Sequence, residues 1–269
     1  MHILSQITAR LRVELERKKQ RLPLEKLRQA AAARPLPPSF AGALKNGRHA
    51  ATPRVIAELK KASPSAGLIR ENFKPARLAR SLENAGAAAL SILTEPNFFL
   101  GKLAYLERAA ARAKIPLLRK DFVFDEYQIC EARAAGASAV LLIARMLDDR
   151  ALANFLETCR RLRLDALCEI HDARELGRAL DAGASIIGVN CRDLGNFTLD
   201  ISLSEKLLAK IPRGKIAVAE SGLSTAAELR RLQALGADAF LVGTALMKAP
   251  RPSAALASLL KNEPGKPTP

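Results

Sequence analysis

Apolar residues in this chain gather into eight short, near-continuous runs: 55–60, 88–93, 115–119, 139–144, 166–170, 185–190, 215–219 and 239–243. Runs this short and this apolar suit strands buried on both faces. Amphipathic stretches of helical length lie between them, among them 74–85, 125–135, 150–162, 172–182 and 225–235. Four junctions echo one another: Ala85-Gly86, Ala135-Gly136, Ala182-Gly183 and Leu235-Gly236, each leading through small residues into an apolar run. Glycine there is predicted in the left-handed position just past a helix C-terminus. Their spacing of roughly 50 residues holds two βα units, so each junction opens every second strand. Eight βα units predict an α/β fold of the (β/α)8, or TIM-barrel, type. A doubly wound sheet is the alternative. It normally carries a glycine-rich phosphate loop after its first strand, and neither G-x-G-x-x-G nor G-x-x-x-x-G-K-[ST] occurs.

Residues 1–50 read as an N-terminal helical extension, 51–260 as the barrel and 261–269 as a flexible tail. Ile3, Ile7, Leu11 and Leu15 recur at helical spacing, which predicts an amphipathic helix broken by Arg34-Pro-Leu-Pro-Pro38. The extension is expected to pack on the barrel, over its mouth. Only the tail and 34–52 have the composition of disorder. The longest apolar run, 139–144, is too short to span a membrane, and the charged N-terminus lacks the apolar core of a signal peptide. A cytoplasmic location is therefore expected. The low aromatic content, 4%, against 49% hydrophobic residues predicts a core of Ala, Leu, Val and Ile.

The four cysteines stand singly, and Cys168 with His171 lacks a second ligand pair, so no metal or redox site is expected. The net charge of +16 raises the question of nucleic acid. The basic residues are scattered over segments such as 150–163, with no basic arm and few aromatics to stack bases. The charge is therefore read as a solvated surface that attracts an anionic small molecule, and no specific nucleic-acid or membrane partner is expected.

Barrel enzymes work from the C-terminal ends of their strands. Those ends carry Glu58 and Lys60, then Thr94-Glu95, Lys120-Asp121, Arg145, Glu169 with His171, Asn190 with Arg192, Glu220-Ser221-Gly222 and Gly243-Thr244. Side chains alternate along a strand, so Ile56, Glu58 and Lys60 share one face. An E-x-K pair alone reads as a surface ion pair; its repetition around a ring of strand ends favours chemistry. Glu58, Lys60, Lys120, Glu169 and Glu220 sit in or against apolar runs, where an unpaired charge is strongly unfavourable, so they must pair with one another or with a ligand. Asp121, Glu95 and Arg145 read equally well as loop or capping residues. Asp172 suits a helix N-cap. His171 is read as turned away from the face of Glu169 and is set aside. Glycines at strand ends seven and eight, with Ser221 and with Thr244 or Ser253 as helpers, suit a phosphate.

The segment Glu58-Leu-Lys-Lys-Ala-Ser-Pro-Ser-Ala-Gly-Leu-Ile-Arg70 resembles the first-strand signature of the indole-3-glycerol phosphate synthase family. Ser91-Ile-Leu-Thr-Glu95 with Phe98-Phe99, Leu118-Arg-Lys-Asp-Phe122, Ile187-Gly-Val-Asn-Cys-Arg-Asp-Leu194, Ala219-Glu-Ser-Gly222 and Leu241-Val-Gly-Thr244 extend the resemblance over nearly the whole chain. Cys191 departs from it, standing where that family commonly has asparagine; alternation aims it away from Asn190. The resemblance implies conversion of 1-(2-carboxyphenylamino)-1-deoxyribulose 5-phosphate to indole-3-glycerol phosphate, CO2 and water in tryptophan biosynthesis, a carboxy-lyase reaction that needs no cofactor or metal. It implies Lys120 as the acid at the ketone oxygen, with a pKa lowered by nearby cations and burial. Lys60 would hold the departing carboxylate and the phosphate, Glu169 the cationic intermediate, and Glu58 would serve in dehydration. Asn190, Arg192 and Glu220 would orient Lys60, Glu58 and the substrate hydroxyls. Ser63, Ser221, Gly222, Gly243 and Thr244 complete the binding set. The split of roles between Lys60 and Lys120, and between Glu58 and Glu169, stays open, and a monomer is expected. Phosphoribosylanthranilate isomerase is the competing barrel enzyme, disfavoured by the two lysines at strand ends one and three. A basic nucleic-acid binder on the same scaffold is the alternative of another class.

Overall fold

In a computed structural model, residues 3–192 and 198–261 are described. The apolar runs form eight strands: β1 (Arg54–Leu59), β2 (Ala89–Leu93), β3 (Leu117–Lys120), β4 (Ala139–Ile143), β5 (Asp165–Ile170), β6 (Ile186–Asn190), β7 (Ile216–Glu220) and β8 (Ala239–Val242). Each pairs in parallel with its sequence neighbour, and β8 pairs with β1 to close the barrel. Side-chain alternation then sorts the strands into two packed layers. Val55, Ala57 and Leu59 face the helices, whereas Ile56 joins Leu118, Leu141, Leu167 and Val218 in the interior. The charged ends of β3 and β7 lie inside the strands, one residue beyond their predicted limits. Backbone pairing continues there because Lys120 and Glu220 point inward and meet each other.

The outer layer runs from α4 (Pro75–Asn84) through α5 (Leu103–Ala110), α6 (Glu126–Ala134), α7 (Asp149–Arg161), α8 (Ala173–Asp181), α9 (Ile201–Leu208) and α10 (Ala226–Ala234) to α11 (Thr244–Lys248) and α12 (Pro252–Leu260). The glycine junctions behave as expected. Gly86, Gly136, Gly183 and Gly236 take φ of 99°, 94°, 86° and 109° just after their helices end. A side chain would be strained in that conformation, so these positions fix where each helix stops and the next strand begins.

The N-terminal region departs from expectation in two ways. Its first helix, α1 (Ile3–Arg21), ends at Pro23 rather than at the later prolines, and α2 (Leu24–Ala32) follows. Proline suits a helix start and cannot continue one, which places the break. The stretch 34–52 is ordered, not disordered: it carries α3 (Phe40–Leu44) and the single turn Gly47–His49. Phe40 and Leu44 are fully buried and close the bottom of the barrel. Asp165, at the start of β5, accepts the Ala41 N–H at 2.9 Å, and Arg48 Nε donates to Asp238 beside the start of β8 at 2.9 Å.

The helix α1 lies at the opposite end, along the rim. Ile7, Leu11 and Leu15 are buried on the barrel. Arg10 stands over Phe98 and Arg12 over Phe124, while Lys18 and Lys19 pair with Glu131 and Asp125 at 2.7 Å each. The extension thus touches both ends of the barrel. Residues 262–269, which include most of the expected tail, fall outside the described residues. Among the described residues no helix is long and apolar enough to cross a membrane.

Phe40→Ala should cost about 3–5 kcal/mol, the usual range for emptying a filled aromatic site. Urea unfolding measures this. A loss below about 1 kcal/mol would show that α3 does not plug the barrel.

Candidate active site

The expected strand ends converge on one cavity of about 360 Å³ at the C-terminal mouth. Glu58, Lys60, Ser63, Lys120, Glu169, Asn190, Arg192, Glu220, Ser221, Gly222, Gly243 and Thr244 all line it. Ser253 does not; it lies in α12. The lining has a second half. Leu93, Phe99, Phe122, Leu141 and Ile143 make an apolar wall, with the Phe99 and Phe122 rings 6.1 Å apart. The sequence motifs contain both phenylalanines but do not assign them to this wall. In a chain with nine Phe, two Tyr and no Trp, two phenylalanines at adjacent strand ends were the available signal.

Two ionic groups fill the polar half. Lys60 Nζ is 2.6 Å from Glu58 Oε1. Lys120 Nζ is 3.2 Å from Glu169 Oε2 and 3.5 Å from Glu220 Oε2, with both carboxylates almost fully buried. Glycine makes this crowding possible. A Cβ on Gly188 would collide with the Glu220 carboxylate, and one on Gly243 with that of Glu58. Gly188 in the middle of an apolar run is the sequence mark of that close approach.

The electrostatics correct one expectation. Burial alone would lower the Lys120 pKa, but Glu169, Glu220 and Glu58 outweigh it, so the pKa stands well above the ordinary lysine range. Its near neighbours are carboxylates, not cations. For Glu169 burial favours the neutral acid, yet Lys120, His171 and an Asn190 hydrogen bond outweigh it and lower the pKa. Glu220 goes the other way. Burial raises it most, and the nearby carboxylates add to this against the pull of Lys120, pushing it up to about 8. With Glu220 protonated, the two lysines balance Glu58 and Glu169, and the five groups carry no net charge.

Several residues take different places from those expected. Asn190 bonds Glu169 and accepts from Ser221 Oγ at 2.7 Å and from the Arg192 N–H at 3.0 Å, so it orients Glu169 rather than Lys60 or Glu58. Glu220 faces Lys120. His171 is beside Glu169 after all, with Nε2 at 3.4 Å from Oε1. Residues two apart on a strand share a face, so alternation, applied correctly, brings the two together. Asp172 caps α8 through the Glu175 N–H. The three undecided residues resolve as supports. Glu95 accepts from the N–H groups of Asn97, Phe98 and Phe99 and so holds the aromatic loop. Asp121 pairs at 2.9 Å with buried Arg119, and Arg145 pairs with Glu175. Cys191 is buried against the β7 end, turned from the charged cluster. Ser221 and Gly222 have φ of 65° and 72°, so the chain turns sharply there to face the cavity.

Residues 4–259 match the family model described as indole-3-glycerol phosphate synthase. An indole-3-glycerol phosphate synthase of Campylobacter jejuni subsp. doylei is 49% identical over 259 residues, covering 96% of this chain and 100% of that protein. One from Variovorax paradoxus is 45% identical over 263 residues, covering 96% and 99%. Among solved structures, a mandelate oxidase variant superposes with a TM-score of 0.58 at 21% identity, covering 78% of this chain and 71% of that one. Thiamine phosphate pyrophosphorylase from Pyrococcus furiosus gives 0.58 at 15%, covering 77% and 93%. At such identities these two share the barrel fold alone. The sequence match along the whole chain goes further: this protein belongs to the indole-3-glycerol phosphate synthase family.

Proposed function

We propose that this chain converts 1-(2-carboxyphenylamino)-1-deoxyribulose 5-phosphate to indole-3-glycerol phosphate, CO2 and water. The observation that carries this reading is the divided cavity, an aromatic-sized apolar wall facing two lysines and three carboxylates. The substrate has the same division, with an aryl ring at one end and a ketone, hydroxyls and phosphate at the other. The aryl ring packs on Phe99, Phe122 and Leu141. Its carboxylate meets Lys60, released from Glu58 as the substrate enters. The phosphate binds at Gly222, Gly243 and Thr244, with Ser63, Ser221 and Arg192 at the edge of the site.

Ring closure needs the aryl carbon that bears the carboxylate to attack the C2 ketone. Negative charge then grows on the ketone oxygen. The Lys120 ammonium stabilises that oxygen and hands over its proton as the alkoxide forms. A high pKa does not prevent this, since an alkoxide is far more basic than an amine. Loss of CO2 restores the aromatic ring, with the ring taking back the electron pair. Dehydration then requires a proton for the C2 hydroxyl and a base for the C1 proton. Glu220, protonated near neutral pH, is the donor, and ionised Glu169 stabilises the cationic iminium and accepts the C1 proton. Glu58 is the second acid–base group, next to Lys60.

We further infer a cytoplasmic monomer. Support comes from a barrel with no open strand edge, a site built from one chain, and four free, buried cysteines that suit a reducing compartment.

Incubation with the carboxyphenylamino substrate should produce indole fluorescence; a folded sample that makes no product refutes the proposal. Lys120→Met should lower kcat by about 10²-fold or more, the scale of losing a positioned acid, with substrate affinity largely kept. Wild-type turnover in that variant would remove Lys120 from the acid role. The raised Glu220 pKa also has a stability consequence. Between the unfolded carboxyl value and about 8 the folded state binds the extra proton, so stability falls as pH rises through that window. Glu220→Gln should therefore exceed wild type in unfolding free energy at pH 8, by an amount on the order of a few kcal/mol. The gap should close toward pH 5 in urea titrations. A gap independent of pH would contradict the assignment.

A further inference from the structure

Arg70 ends the first-strand segment and has no task in the scheme above. Its place follows from what its neighbours lack. After the short helix α11 the chain runs through Ala249, Pro250 and Arg251 to Pro252 at the start of α12. The two prolines carry no N–H, so the carbonyls around them are short of local donors. Arg70 supplies donors from across the barrel rim. Its Nη1 donates to the Met247 and Ala249 carbonyls at 3.0 Å each, and its Nη2 to the Pro250 carbonyl at 3.4 Å. Its Nε–H is buried and makes no hydrogen bond. A guanidinium held on carbonyls with one buried donor idle is explained better by what it ties together than by its own bonds.

The other end of the tie is the loop after β1. The Ile69 and Arg70 N–H groups both donate to the Lys61 carbonyl, at 2.9 and 3.1 Å. Within that closure Ala62 and Ser63 pair antiparallel with Leu68 and Gly67. Residues 61–70 thus form a closed loop with Arg70 at its root. Ser63, Pro64 and Ser65 of this loop line the cavity. Because β1 and β8 are hydrogen-bonded neighbours, Gly243 and Thr244 line it from the adjacent strand end. One rigid, planar group with several donors therefore joins the root of the loop to the far end of the helix that Thr244 begins.

We propose that Arg70 is a positioning residue for the phosphate end of the cavity. It holds the loop after β1 and the segment after β8 as one clamp, so that Ser63 and Thr244 meet the same phosphate. This rests on the phosphate placement proposed above. The acids and bases of the reaction, Lys120, Glu169 and Glu220, stand on β3, β5 and β7, outside the clamp. Loss of Arg70 therefore weakens the hold on the phosphate in ground state and transition state alike, which raises KM and spares kcat.

Arg70→Gln and Arg70→Lys test it, each first checked for a wild-type circular-dichroism spectrum. With the carboxyphenylamino substrate, Arg70→Gln should raise KM by about tenfold, the scale of losing a hydrogen bond to a charged group, and keep kcat within about twofold. Arg70→Lys, whose ammonium reaches a carbonyl but cannot span three, should recover part of that KM. The rise should vanish for the same substrate lacking its phosphate. An unchanged KM in Arg70→Gln, an equal rise with the dephosphorylated substrate, or a fall in kcat alone overturns the proposal. Binding of inorganic phosphate, followed by 31P NMR, needs no turnover and separates the clamp from the reaction. Arg70→Gln should weaken phosphate binding by about tenfold. Equal phosphate affinity in variant and wild type overturns the clamp. Weaker phosphate binding in the variant, with no indole product from the wild type, keeps the clamp and overturns the reaction alone. Should Arg70→Gln fail to fold, Arg70→Lys decides by the same KM and phosphate readings.

Discussion

Charge in the mouth of this barrel has to be balanced, because the groups that carry it are almost out of reach of water. A single buried ammonium or carboxylate there would cost several kcal/mol or shed its charge. Lys120 stays charged because the ionised Glu169 carboxylate stands 3.2 Å from it, with Glu220 beside them at 3.5 Å. Glu220 can stand there only by holding a proton. Lys60 and Glu58 answer each other in the same way at 2.6 Å. The resting site is therefore a set of acids and bases poised by mutual need. In the proposed reaction an anionic substrate entering the cavity breaks one of those pairings and takes the freed cation.

The rest of the fold serves that balance by fixing positions. Strand register puts Asn190 opposite Glu220 and Glu169 opposite Gly188, and the Glu220 carboxylate of the neighbouring strand lies over Gly188 where a side chain is missing. Phe40 and Leu44 fill the lower end, and α1 grips the loop after β2 through Arg10, the N-cap of α6 through Lys19 and α6 itself through Lys18. Buried Arg119, next in the chain to Lys120, bridges Asp121 and Glu131 of α6 at 2.9 Å each. Loop order at the rim thus depends on the same kind of paired charge as the floor.

Most of the barrel was legible because the physics that builds it is local and periodic. Apolar runs, amphipathic stretches and glycines after helices named the strands and helices in order. The ring of charged strand ends named the cavity, since a buried charge needs a partner wherever it lies in sequence. What stayed hidden depended on contacts between distant segments. The stretch 34–52 has the composition of disorder because nothing in it announces that Phe40 plugs a barrel bottom made by residues far along the chain. The Lys120 pKa went the wrong way because sequence cannot count which charges arrive beside it. His171 was a different kind of miss. Its spacing from Glu169 places both on one face, the opposite of the orientation expected for it.

The balance turns on one proton, that of Glu220. Infrared difference spectroscopy between wild type and Glu220→Gln at pH 7 tests it most directly. The account predicts a carbonyl stretch of a protonated carboxyl group in the wild type that is absent from the variant and fades as the pH is raised past about 8. A difference spectrum showing only the bands of an ionised carboxylate at pH 7 would contradict it.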